Sequence, residues 1–222
     1  MLRQSPFSAN LRDLVATGLL IPVWFSSTWL ARGADHPGED ASLASVPTRY
    51  CDDVFGAGRF ETMLGAGALF SPHRNEDLRQ MDYTLFTGSF GVMLNTPQGE
   101  AWWRGNAELG VETFGGNFLT GDGSYLIGTQ AWLRYNFVPI QGRWTPFARA
   151  GCGGLLTDAT TEVVGQRFNF VTSLGIGLRY HFDSQRAVSL EYRFQHISNG
   201  GLSSPNLGIN AQGVMLCLSQ FF

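Results

Sequence analysis

The sequence predicts an all-β protein, an eight-stranded antiparallel transmembrane β-barrel of the outer membrane. From Arg59 onward the chain divides into eight segments of alternating apolar and polar residues. Each has about a dozen residues, whereas a usual strand has about 5 to 6. Glycine accounts for 28 of 222 residues and charged residues for only 15%, against usual shares of about 7% and 25%. The connections also alternate between long and short, which is typical of such barrels.

The eight predicted strands follow one another with few interruptions in their alternation. In the sixth, every second residue from Phe168 to Phe182 is apolar or threonine, while Asn169, Gly175 and Arg179 lie on the opposite face. The fourth and seventh segments alternate in the same way. We expect strands at residues 59–70, 82–95, 102–114, 125–137, 144–156, 168–182, 186–198 and 210–222.

Alternation alone does not say which face is inside, so a soluble lipocalin-like barrel that carries a lipid is the competing fold. A soluble barrel would expose Lys and Glu to water. Here all 15 basic residues are Arg, and the polar face is Gly, Ser and Asn with a few Arg and Glu residues. Such a face suits a narrow lumen, in which Glu191 would pair with Arg193 or Arg179. The apolar face then meets lipid, and the terminal Phe222 resembles the assembly signal of outer-membrane barrels.

The predicted connections differ in length in a regular order. Those at 71–81, 115–124, 157–167 and 199–209 have about ten or eleven residues, and those at 96–101, 138–143 and 183–185 have about six or fewer. Outer-membrane barrels combine long outer loops with short periplasmic turns. With the first strand rising from the periplasm, every long connection would fall outside the cell.

The amino terminus has the features of a secretory signal peptide. Arg3 and Arg12 precede an uncharged apolar stretch from Leu14 to Ala31, and small residues follow at a cleavage site. An uncleaved anchor helix is the alternative, because the apolar stretch is long. We expect a signal peptide at 1–33, a periplasmic lead-in at 34–58 and the barrel at 59–222.

Composition excludes several classes of function. A chain of 222 residues has room for one domain of this kind but not for a multidomain enzyme. A net charge of −3 gives no basic field for nucleic acid. The three cysteines have no CxxC spacing and the four histidines no HxH or HxxxH spacing, so we expect no metal site.

A candidate site lies where the seventh predicted strand ends and the eighth begins. His196 and Ser198 are two residues apart, so they share a face of the strand, and by parity it is the lipid face. Asn210 points the same way at the start of the neighbouring strand. A hydroxyl nucleophile, an imidazole base and a third polar group that orients the imidazole are the groups that acyl transfer needs. The alternative is that His196 and Ser198 only occupy the polar headgroup zone.

The motif around these residues resembles that of a known family. The chain reads H-x-S-N-G from His196 and then P-N-x-G from Pro205. This pattern, on the penultimate strand of a small barrel, resembles the outer-membrane lipid A 3-O-deacylases, a family also labelled acyloxyacyl hydrolases. The clear similarity covers about residues 160–222.

The resemblance implies a catalytic role for His196 as the base and Ser198 as the nucleophile. It implies an oxyanion hole or positioning role for Asn199, Gly200 and Asn206. The acidic triad residue of the family falls at Asn210, and this is a departure. An Asn can fix the tautomer of the imidazole but cannot stabilise the imidazolium by charge.

The implied function is hydrolysis of an acyl ester of lipid A in the outer leaflet by a Ser/His/Asn mechanism. Lipopolysaccharide and the membrane are then the partners, with no cofactor and no nucleic acid. The sequence does not determine the oligomeric state, and a dimer is one of the states that it allows. The alternative function is a non-enzymatic barrel, an anchor or adhesin with a vestigial triad, and Asn210 favours it.

Overall fold

The computed structural model describes residues 54–72, 80–159 and 163–222. They form a closed antiparallel barrel in which each strand pairs with the next and the last pairs with the first. This confirms the predicted fold class. The predicted signal peptide and residues 34–53 of the lead-in lie outside the described residues. The strands are β1 (Phe60–Phe70), β2 (Tyr83–Met93), β3 (Gly105–Asn117), β4 (Tyr125–Phe137), β5 (Trp144–Thr157), β6 (Phe168–His181), β7 (Arg186–Ser198) and β8 (Ile209–Phe221).

The main departure from the predicted strands lies between β2 and β3. Ala101–Trp103 form a 3-10 turn, in which Ala101 has a φ of 53°. Trp102 lies in this turn and not in β3, and its side chain is 81% exposed. The connection 94–104 therefore has eleven residues and the outer connection 118–124 has seven. The predicted alternation of lengths is wrong at these two connections. Among the described residues no helix is both long and apolar enough to cross a bilayer.

The two faces of the strands separate as their alternation predicts. On β6, Leu174 and Ile176 are exposed on the outer wall, whereas Asn169, Ser173 and Arg179 are buried in the lumen. The other strands repeat this pattern. Apolar side chains thus cover the outside of the barrel, and polar ones lie inside.

Buried side chains fill the lumen in three layers. Apolar residues pack toward the outer end, among them Leu69, Tyr83 and Ile197. A second apolar layer, which includes Phe55 and Phe221, lies at the periplasmic end. Phe55 belongs to the predicted lead-in, but it lies in this end of the barrel, with its ring edge-on to those of His181 and Phe221.

The middle layer of the lumen is charged and internally paired. Its buried acidic residues are Glu61, Glu108, Glu112 and Glu191, and its buried basic residues are Arg134, Arg149, Arg179 and Arg193. They divide into two groups, Glu61 and Glu108 with Arg134 and Arg179, and Glu112 and Glu191 with Arg149 and Arg193.

Glu191 has the partner that the sequence predicts. Its carboxylate lies 2.7 Å from Nε of Arg193. Arg179, the other predicted partner, pairs instead with Glu61 across the lumen at 2.8 Å. Glu191 therefore balances the lumen charge and does not reach the outer wall.

A charge on the outer wall tests which face meets lipid. Leu216 lies in the middle of β8 and is exposed on that wall. We expect Leu216→Arg to lower the free energy of unfolding by about 2 to 4 kcal/mol, because the guanidinium must enter hydrocarbon. Urea titration of the barrel in lipid vesicles, read on unheated gels, measures this. Ile140→Arg, in the periplasmic connection 138–143, is the matched control and should cost little. Equal stability of the two variants would contradict the assignment.

Candidate functional site

His196, Ser198 and Asn210 lie together at the outer end of the barrel. There β7 ends at Ser198, and β8 starts back down at Ile209. His196 and Asn210 are directly opposite each other in the register of the two strands. His196 and Ser198 are partly exposed and Asn210 is exposed. The structure thus places all three on the outer wall.

The His196 imidazole contacts the Asn210 amide. Nδ1 of His196 lies 2.8 Å from Oδ1 of Asn210. Because an amide oxygen only accepts hydrogen bonds, this contact puts the ring proton on Nδ1 and leaves a lone pair on Nε2. An imidazole in this tautomer can take a proton at Nε2.

The Ser198 hydroxyl makes no hydrogen bond to any described residue. Two residues along a strand lie about 6 to 7 Å apart, with successive side chains on opposite faces. Ser198 and His196 are therefore neighbours on one face, with no hydrogen bond between them. The structure brings the predicted imidazole and amide together and places the predicted hydroxyl beside them.

Gly208 lets the start of β8 approach the imidazole. Its φ is +73°, and a Cβ there would lie 3.0 Å from Cε1 of His196. A side chain at this position would strain the backbone and press on the ring. Gly208 is not among the residues predicted for the site, and its place at the end of the P-N-x-G motif is the only signal in the sequence.

Asn199 braces the connection 199–208 from inside. Its side chain is buried, and Nδ2 donates to the carbonyl oxygens of Val164 and Ser203 at 2.8 Å each. Oδ1 accepts the backbone N–H of Gly201 at 2.8 Å. The Asn199 side chain thus holds the shape of the loop beside Ser198.

Asn206 and Gly200 offer hydrogen-bond donors beside Ser198. Oδ1 of Asn206 accepts the backbone N–H of Asn199 at 3.0 Å, so the side-chain amide is oriented. Nδ2 of Asn206 and the backbone N–H of Gly200 make no hydrogen bond to described residues. Asn206 and Gly200 therefore each present an open donor, whereas the N–H of Asn199 is occupied.

The neighbouring outer connection, 158–167, supports this loop. The carbonyl oxygen of Val163 accepts the backbone N–H groups of Leu207 at 2.8 Å and Gly208 at 3.2 Å. The hydroxyl of Ser203 donates to the carbonyl oxygen of Gly165 at 3.0 Å. The position of Gly208 against the imidazole thus depends on two loops.

An open apolar groove lies on the outer wall close to these residues. Phe170 of β6 is opposite Ser198, and Gly154 of β5 is opposite Phe170. Gly154 forms part of the groove floor, two strands from Ser198, which is about 10 Å. The groove has a volume of about 520 Å³, and its lining residues are Ile127, Gly128, Thr129, Gly154, Leu155, Leu156 and Phe168.

The described part of the chain holds no cluster of three or more His, Cys, Asp or Glu side chains that could bind a metal ion. The groups at the site are a hydroxyl, an imidazole, amides and backbone N–H groups. These groups can carry out nucleophilic attack, proton transfer and stabilisation of an oxyanion.

The fold and the position of these residues define the class of protein. It is an eight-stranded outer-membrane barrel whose polar cluster opens toward lipid at the outer edge of the wall. The family model of the lipid A 3-O-deacylases (PagL) matches residues 88–219. The match covers more than half of the chain, and the chain belongs to this family.

Two solved structures share the fold. The crystal structure of the outer-membrane enzyme PagL is 19% identical in sequence, with a TM-score of 0.52, and the match covers 71% of this chain and 97% of that one. The crystal structure of Neisserial surface protein A (NspA) is 13% identical, with a TM-score of 0.55, and covers 75% and 98%. No curated protein matches the sequence. Both likenesses concern the barrel itself.

Proposed function

We propose that the protein is an outer-membrane serine esterase that removes an ester-linked acyl chain from lipid A in the outer leaflet. The observation that carries the proposal is the contact of 2.8 Å between His196 and Asn210, on the outer wall and beside Ser198. Membership of the lipid A 3-O-deacylase family supports the choice of substrate. A site that faces lipid suits a substrate that stays in the membrane.

The proposed chemistry has two steps. Oγ of Ser198 attacks the ester carbonyl carbon while Nε2 of His196 takes the hydroxyl proton, and the imidazolium then returns this proton to the sugar oxygen as it leaves. The acyl-enzyme is hydrolysed by a water that gives its proton to Nε2. The imidazolium then passes this proton to Oγ of Ser198 as the bond from Oγ to the acyl carbon breaks, so the fatty acid departs and Ser198 is restored. The hydroxyl needs to turn toward Nε2 when substrate binds, as catalytic hydrogen bonds often do.

The negative charge of the tetrahedral intermediate needs donors, and Asn206 and Gly200 supply them in this proposal. Nδ2 of Asn206 and the N–H of Gly200 make no hydrogen bond to the described residues, so both can donate to an oxyanion. Asn199 acts as a positioning residue, because its side chain holds the loop. The apolar groove beside Phe170 has a large enough volume, about 520 Å³, to accept part of an acyl chain.

A second candidate function is a non-enzymatic barrel, an anchor or adhesin. The observation in its favour is Asn210, which cannot supply the charge of a carboxylate to the imidazolium. The two functions differ in whether Ser198 is required for loss of an acyl chain.

Mass spectrometry of lipid A separates the two candidates. Cells that express the protein should contain lipid A that lacks one acyl chain, and cells that express Ser198→Ala should contain only the intact form. Equal amounts of both proteins in the outer membrane, shown by their heat-dependent migration in gels, provide the control. Intact lipid A in both strains would support the non-enzymatic barrel.

Substitutions at Asn210 test whether it orients the imidazole. We expect Asn210→Ala to lower kcat by about 10- to 100-fold, because the tautomer and position of His196 are no longer held. KM should change little, since Asn210 contacts His196 and not the ester. Asn210→Glu should be as active as wild type or more active, although burial of its charge against lipid opposes this gain. Full activity of Asn210→Ala in a deacylation assay in detergent would show that Asn210 takes no part.

A further inference from the structure

We propose that Arg167 binds a phosphate group on the headgroup of the lipid substrate, with Tyr125 holding its guanidinium in place. The proposal rests on the proposed function, because it deepens the choice of substrate to a phosphorylated lipid. It gives the protein a preference for phosphorylated over dephosphorylated forms of the same lipid.

Arg167 stands apart from the other arginines that the structure describes. It ends the outer connection 158–167, next to the first residue of β6. Four others lie in the lumen and four at the periplasmic end, so in the described ranges only Arg167 presents a cation at the outer rim. The lumen residues are Arg134, Arg149, Arg179 and Arg193, and the periplasmic ones are Arg59, Arg104, Arg143 and Arg186.

The guanidinium of Arg167 is held by a neutral partner. NH2 of Arg167 donates to the hydroxyl oxygen of Tyr125 at 2.9 Å, and the Arg167 carbonyl oxygen accepts the N–H of Thr157 at 2.9 Å. Arg167 is exposed and forms no ion pair with the described residues. Its remaining N–H groups are therefore open to an anion.

The nearby carboxylate of Asp158 is already engaged. Its Oδ1 accepts the backbone N–H groups of Ser124 at 2.8 Å and Tyr125 at 3.0 Å. Partial burial raises the pKa of Asp158, but these backbone hydrogen bonds outweigh it and hold the pKa below its ordinary value. The Asp158 carboxylate thus binds backbone N–H groups at the start of β4 and does not pair with Arg167.

The Arg167 and Tyr125 pair lies at the outer end of the apolar groove. Phe168, the residue after Arg167, forms one wall, and Ile127, two residues after Tyr125, forms the other. Phe168 packs over Gly154, where a Cβ would lie 3.0 Å from its ring. A lipid whose acyl chain lies in this groove would bring its headgroup to the guanidinium.

The chemistry at this point favours phosphate. A guanidinium presents a planar pair of N–H donors that matches two phosphate oxygens, and the contact is stronger than a hydrogen bond between neutral groups. The groove adds an acyl chain to the anion, so the ligand is a phosphorylated lipid and not free phosphate.

Binding experiments on the inactive Ser198→Ala protein test this without relying on turnover. The probes are diphosphoryl, monophosphoryl and fully dephosphorylated lipid A, and native mass spectrometry in detergent gives the fraction bound. We expect Arg167→Gln to weaken binding of a phosphorylated form about tenfold and to leave binding of the dephosphorylated form unchanged. Arg167→Lys should retain part of the preference. Arg143→Gln, an exposed arginine at the periplasmic end, is the matched control and should retain all of it.

The outcomes separate this proposal from the proposed function. Equal binding of phosphorylated and dephosphorylated lipid A by the Ser198→Ala protein would overturn it, and so would an unchanged preference in Arg167→Gln. Millimolar inorganic phosphate that displaces the lipid fully would show that the lipid chain plays no part. An unheated gel shift confirms that each variant is folded. A failed deacylation test would leave these binding results intact.

Discussion

Replacement of Ser198 by Ala is expected to lower ester hydrolysis of lipid A on the order of 10⁴- to 10⁶-fold, because no other group at the site can form the acyl-enzyme. His196→Ala should have a loss of the same order, since the hydroxyl then has no base. The two residues act as a unit, so the double variant should be little worse than either single one. Release of fatty acid by the purified protein in detergent measures all three.

Ser189→Ala provides the matched control. Ser189 lies on the same strand as Ser198, but its side chain is buried in the lumen. Removal of this hydroxyl should leave activity unchanged. Wild-type turnover by Ser198→Ala would refute the catalytic assignment, whereas loss of activity in Ser189→Ala would indicate that β7 tolerates no change at all.

Replacement of Arg193 by Met is expected to lower the free energy of unfolding by about 3 to 5 kcal/mol, because it leaves buried carboxylates without their partner. Arg193 contacts Glu112 at 2.9 Å and Glu191 at 2.7 Å. Arg149 alone cannot balance both, although it lies near each of them. Urea titration in lipid vesicles measures the loss.

Arg186→Met is the control for this prediction. Arg186 starts the same strand and pairs with Asp183, and both side chains are about 40% exposed (41% and 37%). Exposed pairs contribute about 0 to 1 kcal/mol, so this variant should unfold close to wild type. An Arg193→Met protein as stable as Arg186→Met would show that the charged layer of the lumen does not hold the barrel together.

The strands were predictable because the membrane imposes their pattern. Each strand has one side in lipid and one in the lumen, so the sequence alternates over a length that few soluble strands reach. The prediction failed at the start of β3, where Trp103 has the parity of the outward-facing Leu109 and Val111 but belongs to an exposed turn. Aromatic residues at the membrane interface carry the same apolar signal as residues in lipid, so alternation cannot separate them.

The faces on which the candidate-site residues lie were predictable, but their contacts were not. Parity sends His196, Ser198 and Asn210 outward, since side chains along a strand alternate between faces. The contact of His196 with Asn210 depends on the register of β7 against β8. Local sequence does not contain that register, because it is set by barrel closure and by packing in the lumen.

The sequence by itself determined the class of fold, the lipid-facing wall and the residue types of the candidate site. These follow from alternation and from one short motif. Only the tertiary structure decided which lumen charges pair, that Asn199 braces its loop, and that Gly208 leaves space for the imidazole. Each of these joins residues from strands or loops that meet only when the barrel closes, so their partners depend on the geometry of the whole barrel.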